Sequence, residues 1–155
     1  MTKSLRVIHR YWVQVLFLAV IVQIGAAGYG AFYADTKLGN SNSSTITQKQ
    51  FDHGFGVHMA LGYLILLGSL LLFLMSLAAR LGRRWVLLTL VLPLLLILQV
   101  ALAIIGGSTP AVGIFHPLNA LLILGYSGYL AHQARANSKQ AAETTIDRAG
   151  AVAST

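Results

Sequence analysis

The chain has 155 residues, of which 56% are hydrophobic and 10% are charged, and it carries a formal net charge of +7. Soluble domains carry about 25% charged residues, so this composition excludes an ordinary soluble domain, and the absence of cysteine excludes disulfides and thiolate metal sites. The basic residues stand in clusters between long apolar runs without interleaved aromatic residues, which excludes nucleic acid and indicates lipid headgroups as their partner.

Four apolar segments have close to the roughly twenty residues that a membrane-spanning helix needs. In chain order they are 11–33, 54–79, 85–106 and 114–131. The first is too long for a signal-peptide core and lacks a cleavage site, so we interpret it as a retained helix. Short connections predict an all-α integral membrane protein, an up-down four-helix bundle within residues 1–135 whose second and fourth helices are diagonal. We expect the polar tail, 136–155, to be disordered.

The distribution of Lys and Arg predicts the orientation. Nine of the eleven lie at the N-terminus, in the turn between the second and third spans and in the tail, against Lys37 and Lys49 on the other side. By the positive-inside rule both termini are cytoplasmic, and we expect a multi-pass protein of the bacterial plasma membrane. Pro93 lies inside the third span and is expected to kink it.

The two halves of the chain resemble each other. The second span reads HMALGYLILLGS from His58 and the fourth reads HPLNALLILGYS from His116. The first contains IVQIGAAGYG from Ile21, and the third contains ILQVALAIIG from Ile97. The shared His, Ser and Gln predict a duplicated helix pair related by a pseudo-two-fold axis along the membrane normal. The alternative is chance similarity between apolar runs.

His58 and His116 occupy corresponding positions near the outer ends of the second and fourth spans. Ionisable residues at such depth usually face the bundle interior and serve a function. One turn further in lie Gly62 and Ala120, whose small side chains predict a slot between the diagonal helices. Facing imidazoles across such a slot are suited to hold a haem in the core of a bundle. The sequence therefore predicts one haem b with His58 and His116 as axial ligands.

Other polar residues give weaker signals. Gln23, Gln99 and Asn119 are predicted to orient a histidine or approach the macrocycle, with ordinary interhelical hydrogen bonding as the alternative. His58 and His116 themselves have the alternative of hydrogen-bonding across the bundle, and zinc or copper is disfavoured because no carboxylate or thiol completes a tetrahedral set. A second haem near His9 and His132, at the cytoplasmic end, is not expected.

The segments FDHGFGVHMALGYLILL, LILQVALAIIG and HPLNALLILGYSGYLA resemble an uncharacterised family of small four-helix membrane proteins, common in actinobacteria and catalogued only as a domain of unknown function. More distantly they are similar to one half of haem A synthase, and this implies that His58 and His116 face each other. Gly54 stands where that family's Glu-x-x-x-His arrangement has its acid, so haem A synthesis is not implied. Four-helix b-type cytochromes, including quinone-linked ones, are similar in helix number.

Together these features predict a membrane b-type haem protein that transfers electrons, with both axial positions filled and the haem in the outer leaflet. The expected partners are membrane lipids and a quinone or an extracytoplasmic redox protein; an enzyme of this kind would be a haem- or quinone-linked oxidoreductase. Two other interpretations fit the same residues. One is a non-catalytic membrane subunit or small-molecule transporter with a polar histidine site, and the other is a haem carrier or sensor with one exchangeable ligand.

Overall fold

The computed structural model describes residues 2–39 and 45–153, with side chains for 4–39 and 45–137. Regular structure in these residues is entirely helical, in agreement with the predicted all-α class. The helices are α1 (Thr2–Gly39), α2 (Gln48–Ala78), α3 (Arg83–Ser108), the single turn α4 (Pro110–Gly113) and α5 (Phe115–Ala153).

Four of these helices are long and apolar enough to cross a membrane. The corresponding segments are Ser4–Gly39, Gln48–Ala78, Arg83–Ser108 and Pro110–Asn137, and they contain the four predicted spans except for Ala79, which is the C-cap of the second helix. Each is longer than its apolar run because the polar residues at its ends continue the helix. With 38 residues and a rise of about 1.5 Å per residue, α1 is longer than the roughly 30 Å of a hydrocarbon core.

The helices pack in the predicted order. Within the described residues α1 contacts α2 and α5, α3 contacts the same two helices, and the pairs α1–α3 and α2–α5 are diagonal. Buried apolar side chains from all four long helices form one core: Val13, Leu16, Val20, Ile65, Leu72, Leu92, Leu96, Ile123, Leu130 and Ala131. This order sets the two histidine-bearing helices opposite each other across the core.

Capping and a glycine turn define the ends of α2. Thr47 and Gln50 form a reciprocal capping box, in which Gln50 N donates to Thr47 Oγ1 at 3.3 Å and Thr47 N donates to Gln50 Oε1 at 2.8 Å. In the turn after α2, Gly82 is the N-cap of α3 and has φ +90°, which glycine adopts without the steric cost of a side chain. Arg6 of α1 donates to the carbonyls of Ala79 and Arg80 in this turn, so α1 is held against it.

Pro93 is buried inside α3, which is assigned as one helix from Arg83 to Ser108. Proline removes one intrahelical hydrogen-bond donor. In a membrane protein, polar groups of neighbouring helices can bind the backbone carbonyl that is left without its donor. The carbonyl that loses this donor is that of Thr89, four residues before the proline, and the Tyr126 hydroxyl of α5 donates to the adjacent carbonyl, Leu88 O, at 2.7 Å. The kink at Pro93 stays a prediction.

The last helix does not end with the apolar run. The backbone of α5 is helical through Ala153, and the disorder expected for residues 136–155 stays a prediction. The segment is rich in alanine and contains no proline, and such a composition favours helix even where no packing partner is needed. Residues 154–155 lie outside the described part of the chain.

Candidate functional site

The two predicted ligands come together at the predicted outer end of the bundle. The rings of His58 on α2 and His116 on α5 face each other with their centroids 6.3 Å apart and their planes at 66°. Both side chains are partly buried. An imidazole nitrogen lies about 2 Å from a metal it binds, so two rings on opposite sides of one ion have centroids about 6 Å apart. The observed centroid separation is close to this value, but the rings are edge-on to each other and Gln99 Nε2 lies 3.1 Å from Nε2 of His116.

Each histidine is oriented by a backbone carbonyl on the helix that precedes it. Nδ1 of His58 lies 3.2 Å from Gln23 O, and Nδ1 of His116 lies 3.1 Å from Gln99 O. A carbonyl oxygen only accepts hydrogen bonds, so Nδ1 carries the proton in both rings and Nε2 keeps a lone pair. This tautomer is the one in which Nε2 binds metal while Nδ1 is held by an outer partner.

The carboxamides of the two glutamines have different partners. Gln23 Nε2 donates to the backbone carbonyl of His58 at 2.8 Å, whereas Gln99 Nε2 lies 3.1 Å from Nε2 of His116. Asn119 Nδ2 donates to Gln99 Oε1 at 2.7 Å. All three residues predicted to lie near the histidines therefore do so, and two of them form a network with His116.

The small residues below the histidines lie on the interior stripes of their helices. Ile65 and Ile123, which follow Gly62 and Ala120 along these stripes, are 2% and 3% exposed. The predicted slot is not empty on the α2 side, however: a Cβ on Gly62 would lie 3.0 Å from Gln23 Nε2. Glycine here lets the Gln23 carboxamide reach the backbone of α2, because no side chain separates the two helices.

The second histidine pair does not form a comparable arrangement. His9 is 3% exposed and lies edge-on to Trp85, with ring centroids 5.9 Å apart. Within the described residues His9 Nε2 is buried without a hydrogen-bond partner. His132 is exposed, so the two side chains have different environments and neither belongs to the candidate site.

An aromatic series beside His58 was missed by the sequence reasoning. Phe55 lies edge-on to His58 with centroids 6.3 Å apart, and Phe51 stacks on Phe55 at 4.9 Å. Phe51 is partly open to the surroundings, with 40% of its surface exposed. The spacing of four and then three residues along one helix places the three rings on one face, so the signal was present in the sequence.

A cavity of about 410 Å³ lies beside the first turns of α2. Its lining residues are Tyr33, Lys49, Gln50, Asp52 and His53. The ring of His53 packs against that of Tyr33 of α1 with centroids 5.1 Å apart. The His53 side chain is otherwise exposed. These residues surround the predicted outer end of the α1–α2 pair and do not contact the two facing histidines directly.

Comparison with known proteins gives a match of part of the chain to one family model and no activity. A model described as a family of unknown function (DUF6220) matches residues 50–107, which is most of α2 and α3 and includes His58, Gly62 and Gln99. The match agrees with the resemblance to an uncharacterised family. No curated protein and no solved structure matches the chain, so the similarity to haem A synthase and to b-type cytochromes stays an expectation.

Proposed function

We propose that the protein is a membrane b-type haem protein that transfers electrons, with His58 and His116 as the axial ligands of one haem. The main support is the facing pair of imidazoles, whose centroids are 6.3 Å apart. With two histidines as axial ligands no position is left for oxygen, and electron transfer is the chemistry that such a site favours. When bound, the haem would supply one-electron redox chemistry; the protein supplies its orientation and surroundings.

The residues around the rings support this assignment. The carbonyls of Gln23 and Gln99 fix the Nδ1 protons, and a partner on Nδ1 raises the basicity of Nε2 towards a metal. Ile65 and Ile123 are buried on the same stripes, so apolar side chains lie two turns below the histidines. The apolar residues around a haem, and its exposure to solvent, are among the features that set its reduction potential.

The predicted duplication belongs to the same proposal. In both halves a histidine Nδ1 lies against the carbonyl of a glutamine on the preceding helix. Ser69 and Ser127, which share the twelfth position of the matching segments, are both buried and donate to the carbonyl three residues earlier at 2.7 and 3.0 Å. We infer that a pseudo-two-fold axis relates the two helix pairs and sets both ligands at equal depth.

The proposed setting is the bacterial plasma membrane with both termini in the cytoplasm. The basic residues at the ends of the spans support this orientation, and the histidines then lie in the outer leaflet. Membrane lipids and a quinone or an extracytoplasmic redox protein are the proposed partners. Phe51 and Phe55 extend from His58 towards the start of α2, where such a partner would approach.

Visible spectroscopy tests the proposal. Protein purified from haem-replete cells should give Soret and alpha bands in its reduced-minus-oxidised spectrum, typical of low-spin haem. His58→Ala and His116→Ala should each abolish this low-spin spectrum because one axial ligand is lost. His132→Ala is the matched control, since His132 is exposed and should leave the spectrum unchanged. A colourless wild-type preparation would overturn the proposal.

A transporter with a polar histidine site is the second candidate. Gln23 Oε1 and Asn119 Oδ1 are buried without hydrogen-bond partners in the described residues, and water or a polar solute would satisfy such atoms. Below them, however, the core residues Val20, Leu96 and Ile65 are buried and apolar, which interrupts a polar path across the bundle. A colourless protein would favour this candidate over the haem protein.

A further inference from the structure

Two cavities lie between α1 and α2. One, of about 480 Å³, is lined by Val22, Gly25, Ala26, Tyr29 and Val57. The other is the cavity of about 410 Å³ beside the first turns of α2. Val22, Tyr29 and Val57 are all exposed, so the first cavity opens on the surface of the bundle that faces the membrane.

The two cavities follow each other along one groove. On α1, Tyr29 lines the first cavity and Tyr33 lines the second, and their ring centroids are 6.1 Å apart. On α2, Val57 of the first cavity and His53 of the second are four residues apart, so they lie on one face of the helix. Both helices therefore present the same face to the two cavities. We call this feature the α1–α2 groove.

The α1–α2 groove changes from apolar to polar along its length. Its inner part is lined by small apolar residues, valines and the ring of Tyr29, whereas its outer part contains charged side chains. From Val22 to Tyr33 it extends about 16 Å along α1, at a rise of about 1.5 Å per residue. This length is close to half of the roughly 30 Å hydrocarbon core of a bilayer. The groove thus matches an amphiphile that occupies one leaflet.

The charges of the outer part indicate the kind of head group. Lys49 and Asp52 line it with one positive and one negative charge, and both side chains are exposed. Asp52 Oδ1 accepts from Gln48 Nε2 at 2.7 Å, and a carboxylate can accept further hydrogen bonds. A head group with a phosphate and an ammonium complements both charges. A head group with a net negative charge would leave Asp52 beside a like charge.

We propose that the α1–α2 groove binds one phospholipid whose zwitterionic head group contains a primary ammonium, as in phosphatidylethanolamine. The phosphate lies at Lys49 and His53, the ammonium donates to Asp52, and one acyl chain lies along Gly25 and Ala26. A primary ammonium has N–H groups for the carboxylate, whereas the methylated ammonium of phosphatidylcholine has none. This lipid site does not depend on the proposed haem function, and it selects one class among the membrane lipids proposed as partners.

Native mass spectrometry of the full-length protein in detergent tests the head group. Phosphatidylethanolamine, phosphatidylcholine and phosphatidylglycerol with the same acyl chains are added separately. We expect phosphatidylethanolamine to bind about two- to fivefold more tightly than the other two, the effect of one exposed charge pair. Asp52→Asn should remove this preference. Asp35→Asn is the matched control, since Asp35 is an exposed carboxylate that does not line the groove, and it should keep the preference.

The phosphate and the acyl chain are tested by separate substitutions. Lys49→Gln should weaken the binding of all three lipids, because each contains a phosphate, and Lys49→Arg should retain it. A Cβ at Gly25 meets no atom within 4 Å, so Gly25→Leu should extend into the groove and lower the affinity for phosphatidylethanolamine. Gly28 has equal space at its Cβ position and does not line the groove, so Gly28→Leu should keep the wild-type affinity.

Each alternative occupant gives a different result. Equal binding of the three lipids by the wild type means unselective lipid contact only and overturns the site, and so does an unchanged preference in Asp52→Asn. A quinone with an isoprenoid chain that displaces phosphatidylethanolamine at equal concentration assigns the groove to the quinone instead. A wild-type dimer that Gly25→Leu dissociates, with lipid binding unchanged, assigns its inner part to a second copy of the chain. A colourless protein with the expected lipid preference would overturn the haem proposal alone.

Discussion

Gln23 and Gln99 each present two polar groups to a histidine, and the two groups have different consequences. The backbone carbonyls lie 3.2 and 3.1 Å from Nδ1 of the respective rings, and a residue of any type would provide that contact. The carboxamide reaches a ring only at Gln99. The backbone therefore sets the orientation of both imidazoles, whereas the side chain distinguishes His116 from His58.

Buried hydroxyls are a second residue-scale feature of the bundle. Thr89 Oγ1 donates to Ser76 Oγ at 2.8 Å, and both side chains are fully buried. Thr89→Val removes the hydroxyl with little change in size, so we expect the free energy of unfolding in detergent micelles to fall by about 1 kcal/mol. Denaturant titration followed by circular dichroism measures this change.

Thr36→Val is the control for that substitution. Thr36 is exposed, and its hydroxyl contacts Phe32 O of the same helix at 2.9 Å, so the expected change is below about 0.5 kcal/mol. Equal losses in the two variants would mean that the contact between α2 and α3 contributes nothing of its own.

At the scale of elements, the distance between α1 and α2 decides which side chains meet. Gly62 and Gly68 lack the side chains that would hold the helices apart. A Cβ on Gly68 would lie 2.8 Å from Leu16 Cδ2, and Trp12 Nε1 donates to Gly68 O at 2.8 Å. Because the helices approach this closely, Gln23 also reaches α2.

Gly30 provides a direct test of this close approach. A Cβ at Gly30 would lie 2.6 Å from Phe55 Cδ1, so Gly30→Ala should displace the ring and lower the free energy of unfolding by about 1–3 kcal/mol. Gly28 has no atom within 4 Å of its Cβ position, so Gly28→Ala should be neutral or slightly stabilising because alanine favours helix.

The contact with Phe55 can be isolated by a double-mutant cycle. Phe55→Ala should cost less stability in the Gly30→Ala background than in the wild type, because the clash disappears with the ring. Additive effects would show that the cost of the methyl group at Gly30 arises elsewhere.

At the scale of the whole molecule, many large apolar side chains lie on the surface. Large exposed side chains such as Leu64, Leu98 and Leu121 cover the outside of the bundle. Several polar residues are buried: His9, Ser69, Ser76, Thr89, Asn119 and Ser127. In lipid, burial of apolar surface does not drive helices together, so packing at small residues and polar contacts between helices must do so.

The orientation of the whole bundle is testable because the chain has no cysteine. Gln48→Cys at the start of α2 should react with a membrane-impermeant maleimide in intact cells, since the positive-inside rule places this end outside. Asn137→Cys on α5 should react only after the cells are opened. Neither substitution changes the charge, so the bias that sets the orientation is preserved. The reverse labelling pattern would contradict the predicted orientation.

The apolar helices and the candidate ligands could be predicted because each is recognised from the residues of its own segment. Whether about twenty residues can span a bilayer depends on their own hydropathy, so the four spans were recognised without a structure. His58 and His116 stood out because ionisable side chains are rare in such runs. The start of α2 at Gln48 could not be predicted from hydropathy, because the first turn of this helix is polar and is stabilised by its capping box.

By itself the sequence determined the four apolar helices, their order along the chain and the two histidines at corresponding positions. Only the tertiary structure decided that Gln23 fills the space beside Gly62 and that Gln99 engages His116 together with Asn119. The physical reason is that hydropathy is a property of a segment alone. A hydrogen bond between helices, in contrast, depends on an interhelical distance set by glycines and core side chains far away in the chain.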